Sequence, residues 1–199
     1  MSVSAATWTS GNEHDRARAW QLLCEHNQSE SLRKHGLAVE AAMRGLARRY
    51  VEDEELWGIV GLIHDFDYEK HPDPFEHGLA GGRMLREMGW PDVIAHAVES
   101  HNDHVGVLRE SLMEHALFSC DELCGFIVAV ALVKARDLTM VEPRSVRKKM
   151  KDKAFARSVS REDIEKGWRQ LDVDPDEHIA FIVDSLKPAA PQLGLVVSG

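Results

Sequence analysis

Apolar residues recur at intervals of three and four positions along nearly the whole chain, and no stretch shows the sustained alternation typical of a half-buried strand. Because 44% of the 199 residues are apolar and 29% are charged, the chain can build one soluble, packed domain. The pattern therefore predicts an all-α, single-domain helical bundle. The expected helices span about residues 13–26, 29–50, 54–65, 75–88, 91–100, 110–124, 125–135, 146–158, 160–171 and 175–186.

Capping residues and prolines indicate how the chain is organised. Asp53 is expected to cap the third helix, and Pro91 is expected to start the fifth. We expect an N-terminal segment with the first helix over 1–28, a helical core over 29–140, a C-terminal helical extension over 141–187 and a flexible tail over 188–199. Residues 1–11 are also expected to be frayed.

The formal net charge of −9 argues against nucleic acid polymers as partners, because an acidic chain repels phosphate backbones. Small phosphates remain allowed. The longest apolar run, residues 125–133, is far shorter than the roughly 20 residues of a membrane span, so no membrane partner is expected. The first residues do not resemble a secretory signal, and a cytoplasmic location is expected. The oligomeric state stays open.

Polar side chains interrupt the apolar stripes of five predicted helices. A buried aspartate needs a cationic partner, and no lysine or arginine lies on these stripes. A metal ion supplies that charge, because imidazole and carboxylate are good ligands for iron, manganese, cobalt, nickel and zinc. Six ligands suit two ions better than one. The inward-facing residues are His35, His64, Asp65, His77, His101 and Asp121.

Other histidines and the cysteines are expected to have no part in this site. The three cysteines, Cys24, Cys120 and Cys124, are expected to be reduced thiols of the core. The remaining histidines are expected at the surface or in loops: His14, His26, His71, His96, His104, His115 and His178.

The order of four of these residues resembles the HD-domain superfamily of metal-dependent phosphohydrolases. His35 is followed by the adjacent pair His64-Asp65 at a helix end, and Asp121 precedes an apolar helix far downstream. The resemblance covers roughly residues 29–140 and implies a helical bundle around a metal site. It also implies that these four residues hold one metal ion.

Some members of that superfamily add two histidines between the doublet and the last aspartate. His77 and His101 are similar to those positions. The implied centre is then dinuclear, with Asp65 as the bridge between the two ions.

The resemblance implies hydrolysis of a phosphoester or phosphoanhydride by attack of a metal-bound water, whose pKa the ion lowers toward neutrality. The spacing resembles that of small hydrolases of dinucleoside polyphosphates more than that of cyclic-dinucleotide phosphodiesterases, whose Gly-Tyr-Pro signature is absent. We therefore expect a small phosphorylated substrate, with nucleotides among the candidates. Asp65 is given a catalytic role as the bridge, and Asp67 is a candidate to orient or deprotonate the water.

Substrate phosphate needs cations other than the metal ions. Many relatives carry a lysine close behind the doublet, and here Lys70 follows on a longer loop, where it is a candidate for both catalysis and phosphate binding. Arg83 is a second candidate. Lys148 and Lys149 complete the set, in a stretch (residues 144–157) that holds seven Lys or Arg and one Asp.

Two other functions remain open at this point. The same ligand set resembles that of mixed-valence di-iron oxygenases related to myo-inositol oxygenase, which activate dioxygen. A non-catalytic helical module that binds a ligand is the second alternative. Metal identity and redox sensitivity distinguish the oxygenase from the hydrolase, and completeness of the ligand set argues against a decayed module.

Overall fold

The structure, a computed structural model, describes residues 15–198 and confirms the all-α fold. Within these residues the regular elements are helices, with one isolated parallel bridge between Asp137 and Val196. Short 3-10 turns connect some of them. The α-helices are α1 (Arg16–His26), α2 (Glu30–Tyr50), α3 (Glu54–Ile63), α4 (Leu79–Glu87), α5 (Asp92–Ser100), α6 (Leu112–Val133), α7 (Pro143–Met150), α8 (Arg161–Leu171), α9 (Pro175–Leu186) and α10 (Ala190–Leu193).

Helices α2 and α3 pack closely at the centre of the bundle because glycine lies at their contact. A Cβ placed on Gly36 would lie 2.6 Å from the carbonyl oxygen of Leu62, and one on Gly61 would lie 2.8 Å from that of Val39. Any larger residue would push the two backbones apart. The short separation brings the N-terminal half of α2 beside the C-terminal end of α3, where His64 lies.

Helix α6 runs through the core as one helix of 22 residues, so the predicted break near residue 125 is wrong. Ser111 starts it with a capping box to Glu114, and Gly125 alone does not interrupt the backbone ladder. Among the described residues, α6 is the one helix long and apolar enough to cross a membrane. Most of its apolar window is buried inside the bundle, as expected of a core helix.

The helix predicted over 146–158 ends early, at Met150, and a non-helical segment follows. Ala156 in that segment adopts a φ of 41°, which a continuing helix does not allow. The Arg161 guanidinium donates hydrogen bonds to the carbonyl oxygens of Phe155, Ala156 and Val159. The partly buried Arg161 thus satisfies carbonyl groups that a continuing helix would have bonded, and periodicity does not reveal this interaction.

The C-terminal residues pack against the bundle, so the prediction of a flexible tail over 188–199 is wrong for the described part. Leu193 and Leu195 are buried, and the N–H of Leu138 donates to the carbonyl oxygen of Val196 at 3.0 Å. Apolar side chains after the short α10 account for this docking. The predicted frayed segment 1–11, His14 and Gly199 lie outside the described residues.

Candidate metal centre

Two predicted ligands, His64 and His101, lie at the C-terminal ends of α3 and α5 and are oriented in the same way. The Nδ1 atom of His64 lies 2.8 Å from the carbonyl oxygen of Gly61, and that of His101 lies 2.5 Å from the carbonyl oxygen of Val98. Carbonyls in the last turn of a helix lack N–H partners and accept from the imidazoles. With Nδ1 donating, each Nε2 lone pair is free, which is the tautomer that a metal ligand needs.

Asp65 lies between two groups of ligand atoms. Its Oδ2 atom is 3.4 Å from Nε2 of His64 and 3.6 Å from Nε2 of His35. Its Oδ1 atom is 2.9 Å from Nε2 of His77 and 3.2 Å from Nε2 of His101. Each oxygen of the carboxylate therefore faces a different cluster, as in a ligand that bridges two metal ions.

Asp121 completes the first cluster, and His77 with His101 completes the second. Oδ1 of Asp121, on α6, lies 2.9 Å from Nε2 of His35 and 3.2 Å from Nε2 of His64. On the other side, Nε2 of His77 and Nε2 of His101 are 3.1 Å apart. Within residues 15–198 these are the groups of His, Cys, Asp or Glu that converge tightly enough to hold a metal ion. All six predicted ligands are thus brought together.

One side of the centre opens to solvent. The side chain of His64 is fully buried, and the histidines of the second cluster are nearly so. The side chains of His35, Asp65 and Asp121 retain 21%, 18% and 17% of their exposure. A substrate can therefore approach from the side of these three residues.

Attraction between histidines and carboxylates determines the direction of the pKa shifts in the centre. Burial lowers the pKa of His64, but the Asp65 and Asp121 carboxylates outweigh burial and raise this pKa well above its ordinary value. Although burial raises carboxyl pKa values, His64 and the neighbouring histidines hold the pKa of both aspartates well below the usual range. Burial likewise opposes the charge of His77, yet Asp65 and Asp67 raise its pKa to about 9. The carboxylates stay ionised, and the centre requires positive charge.

The donor atoms fit divalent metal ions. Nε2 of His64 is fully buried and makes no hydrogen bond within residues 15–198, although Oδ1 of Asp121 lies 3.2 Å away and Nδ1 of the same ring is bonded. A buried polar atom without a partner is rare in proteins. A cation among His35, His64 and Asp121 satisfies this atom and the carboxylate charge together. The imidazole and carboxylate donors are those that transition metals prefer.

Comparison with protein-family models matches residues 32–188 to the HD domain, which is most of the chain. The chain belongs to the HD domain family. This family indicates the superfamily of metal-dependent phosphohydrolases, as the order of the ligands predicts. The chain is also 33% identical over 94 residues to an uncharacterized protein of Methanocaldococcus jannaschii. That match covers 45% of the chain and 54% of the relative, so it spans about half of that protein. No solved structure matches the chain significantly.

Asp67 of this HD domain lies behind His77, and its action on the attacking water stays a prediction. Its side chain is fully buried, with Oδ1 3.0 Å from Nδ1 of His77. Oδ2 accepts hydrogen bonds from the N–H groups of Gly78 and Gly81, both at 3.0 Å. Both oxygens are therefore engaged away from the open side, and Asp67 fixes the ring of His77 with Nε2 toward Asp65.

The predicted phosphate-binding cations are not brought together. Nζ of Lys70 lies 3.2 Å from Nδ1 of His26, and among the described residues no ion pair joins Lys70 to a metal ligand. Arg83 is exposed on α4, and Lys148 is exposed on α7. Lys149 lies over the ring of Phe155, at 4.6 Å from its centroid. Their contacts with substrate stay a prediction.

Two residues near the centre, Tyr68 and Glu122, were not predicted from the sequence. The ring of Tyr68 packs edge-on against His77, with centroids 5.0 Å apart, and 41% of this tyrosine is exposed. Glu122 follows Asp121 and accepts a hydrogen bond from the N–H of Ser160 at 3.0 Å. Burial and the Asp121 charge raise the pKa of Glu122 to about 8. For Glu122, the only signal in the sequence was its position next to Asp121. That position does not show where the Glu122 side chain points.

The other histidines among residues 15–198 belong to neither ligand cluster, and one of them corrects the prediction of a surface position. His178 is fully buried on α9 rather than at the surface, and its Nε2 atom lies 3.3 Å from the carbonyl oxygen of Ser119. Burial lowers the pKa of His178 to about 4. As predicted, the thiols of Cys120 and Cys124 are free and buried, whereas Cys24 is only partly buried.

Proposed function

We propose that this HD domain uses two divalent metal ions to hydrolyse a phosphoester or phosphoanhydride bond of a small phosphorylated molecule, with nucleotides as the first candidates. The observation that carries this proposal is the placement of Asp65, whose two oxygens face two separate ligand clusters. A carboxylate shared in this way supports two adjacent ions. Two adjacent ions suit an in-line displacement at phosphorus, because they can stabilise the attacking and leaving oxygens together.

The residues of the chain do most of the positioning. Divalent ions, when bound, supply Lewis acidity and lower the pKa of a coordinated water toward neutrality. Asp65 sets the separation of the two clusters, while Asp67 holds His77 in the required tautomer. The low exposure of the histidines keeps bulk water off the inner side of the centre. Iron, manganese, cobalt, nickel and zinc all suit this donor set.

Within the basic stretch at residues 144–157, Lys148 and Lys149 are the candidate cations for the substrate phosphate. A Cβ placed on Gly125 would lie 3.9 Å from both Nδ1 of His35 and Cγ2 of Val159, so the chain just after that stretch borders the open side. Charge reversal of Lys148 and Lys149 is expected to raise KM while the metal content stays constant. An unchanged KM would mean that these lysines form an ordinary solvated surface.

The proposal is tested by elemental analysis of protein purified without added metals, followed by a screen of nucleotides and generic phosphoesters. We expect bound transition metal and release of phosphate or of a nucleoside phosphate. The Asp121→Ala variant, which removes a ligand, serves as the inactive control.

The same screen also tests the two alternatives. Iron in the purified protein, oxygen consumption with a polyol or phosphonate, and intact phosphoesters would contradict hydrolysis in favour of an oxygenase. Stoichiometric metal with neither activity would favour a non-catalytic module.

A further inference from the structure

A cavity of about 530 Å³ lies between α7, α8 and the start of α9, and its lining residues include none of the six residues of the metal centre. Its volume falls within the range of roughly 300–1,000 Å³ that is usual for sites of small ligands. The cavity is therefore not part of the metal centre, because no side chain belongs to both.

Positive charge dominates the wall of the cavity. Four cationic side chains line it, those of Arg147, Lys151, Arg161 and Arg169, whereas two acidic residues do so. The formal charge of the lining is thus positive in a chain whose formal net charge is −9. This reversal of sign favours an anionic ligand.

Two of these cations are unpaired. Among the described residues, no ion pair or side-chain hydrogen bond involves Lys151 or Arg169, although Glu165 lies one turn before Arg169 on α8. Arg147 is 3.7 Å from Asp176, and both of these side chains are largely exposed. The guanidinium of Arg161 is instead engaged by backbone carbonyls. Lys151 and Arg169 are therefore available to an anion, and the exposed pair of Arg147 with Asp176 is weak enough for an anion to replace.

The rest of the wall is apolar and includes a large aromatic ring. Trp168 is 6% exposed and lies beneath the guanidinium of Arg147, 5.8 Å from the ring centroid. Met150, Val173 and Pro175 complete this surface. A cavity lined by cations together with apolar side chains suits an anion that carries a flat, apolar body.

From this combination, we propose that the cavity between α7 and α8 is a second binding site, for a nucleoside phosphate, separate from the metal centre. The cations hold the phosphate, and Met150, Val173 and Pro175, beside the largely buried Trp168, pack against the base. The site does not depend on the hydrolytic reaction proposed above.

The probe is adenosine 5′-(β,γ-imido)triphosphate, which resists hydrolysis, and its affinity for the full chain is measured by calorimetry. The double charge reversal Lys151→Glu with Arg169→Glu is expected to weaken binding by about tenfold or more, because charge-assisted contacts to phosphate are lost. Lys153→Glu is the matched control, since Lys153 is an exposed cation of the same segment outside the cavity. Its affinity should equal that of the parent protein.

Further measurements distinguish this site from other sources of binding. The affinity should persist after the metals are removed by chelation, and tripolyphosphate should bind more weakly than the nucleotide analogue. Loss of binding on chelation would place the nucleotide at the metal centre and overturn the proposal. Equal affinity for tripolyphosphate, equal weakening by Lys153→Glu, or absence of binding would also overturn it.

Discussion

Replacing Asp67 with asparagine is expected to weaken one half of the metal centre and leave the other half intact. Oδ2 of Asp67 accepts from the N–H groups of Gly78 and Gly81. These two donors require an acceptor, so the amide oxygen of the new side chain takes this position and the NH₂ group faces Nδ1 of His77. Nδ1 must then accept, which moves the ring proton to Nε2 and removes the lone pair that a metal ion needs.

The expected loss of metal affinity can be estimated because Asp67 is the carboxylate partner of His77, on the ring nitrogen that faces away from the metal site. Loss of such a partner typically lowers metal affinity by about ten- to hundredfold, or about 1.4–2.7 kcal/mol. The effect should be confined to the ion at His77 and His101, because Asp67 makes no hydrogen bond to the other cluster.

Calorimetric titration of Mn²⁺ into metal-free protein measures both sites in one experiment. We expect two sites in the parent protein, and in Asp67→Asn one site of unchanged affinity with the other weakened. Asp73→Asn is a matched control, because Asp73 is an exposed aspartate of the same loop that also accepts from a backbone N–H. Equal weakening of both sites, or two unchanged sites, would refute the tautomer argument.

Three other changes test separate parts of the account. Asp121→Ala should abolish metal binding and hydrolysis together, and stoichiometric metal in this variant by elemental analysis would contradict the site. Burial lowers the pKa of His178 to about 4 in the folded protein, against about 6.5 in the unfolded chain. Folding is therefore favoured above pH 6.5 by the neutral imidazole, and this contribution of roughly 3 kcal/mol is lost as the pH falls toward 4. The free energy of unfolding should therefore fall less over that range in His178→Gln than in the parent, and identical pH dependence would contradict this. Gly61→Ala places a Cβ 2.8 Å from the carbonyl oxygen of Val39 and should cost about 1–3 kcal/mol in denaturant unfolding, whereas an unchanged midpoint would show that the two helices can separate freely.

The convergence of the six clustered residues could be predicted because polar side chains interrupt the apolar stripes of several helices. His35 and Asp121 lie on α2 and α6 as their periodicity indicates. His77 is an exception in detail, since it lies in the turn before α4 rather than on a helix. Gly78 there adopts a φ of 85°, so the helix predicted from residue 75 begins only at Leu79.

Other features depend on contacts between distant segments, which periodicity does not encode. Asp67 looked like a loop residue, and only the approach of His77 and two backbone N–H groups shows its role. Arg161 looked like the first residue of a helix, yet it satisfies the carbonyls of the segment before it. His178 precedes Ile182 and Leu186 at helical spacing, so it also interrupts an apolar stripe. Periodicity therefore does not distinguish this buried histidine from those of the metal centre.

Anomalous diffraction from crystals loaded with manganese tests the central claim most directly, because it locates each ion. The account predicts two peaks on either side of Asp65, about 3.5–4 Å apart as in other two-metal sites. One should lie among His35, His64 and Asp121, and the other beside His77 and His101. A single peak, or ions bound away from Asp65, would contradict the claim that this carboxylate bridges two metal ions.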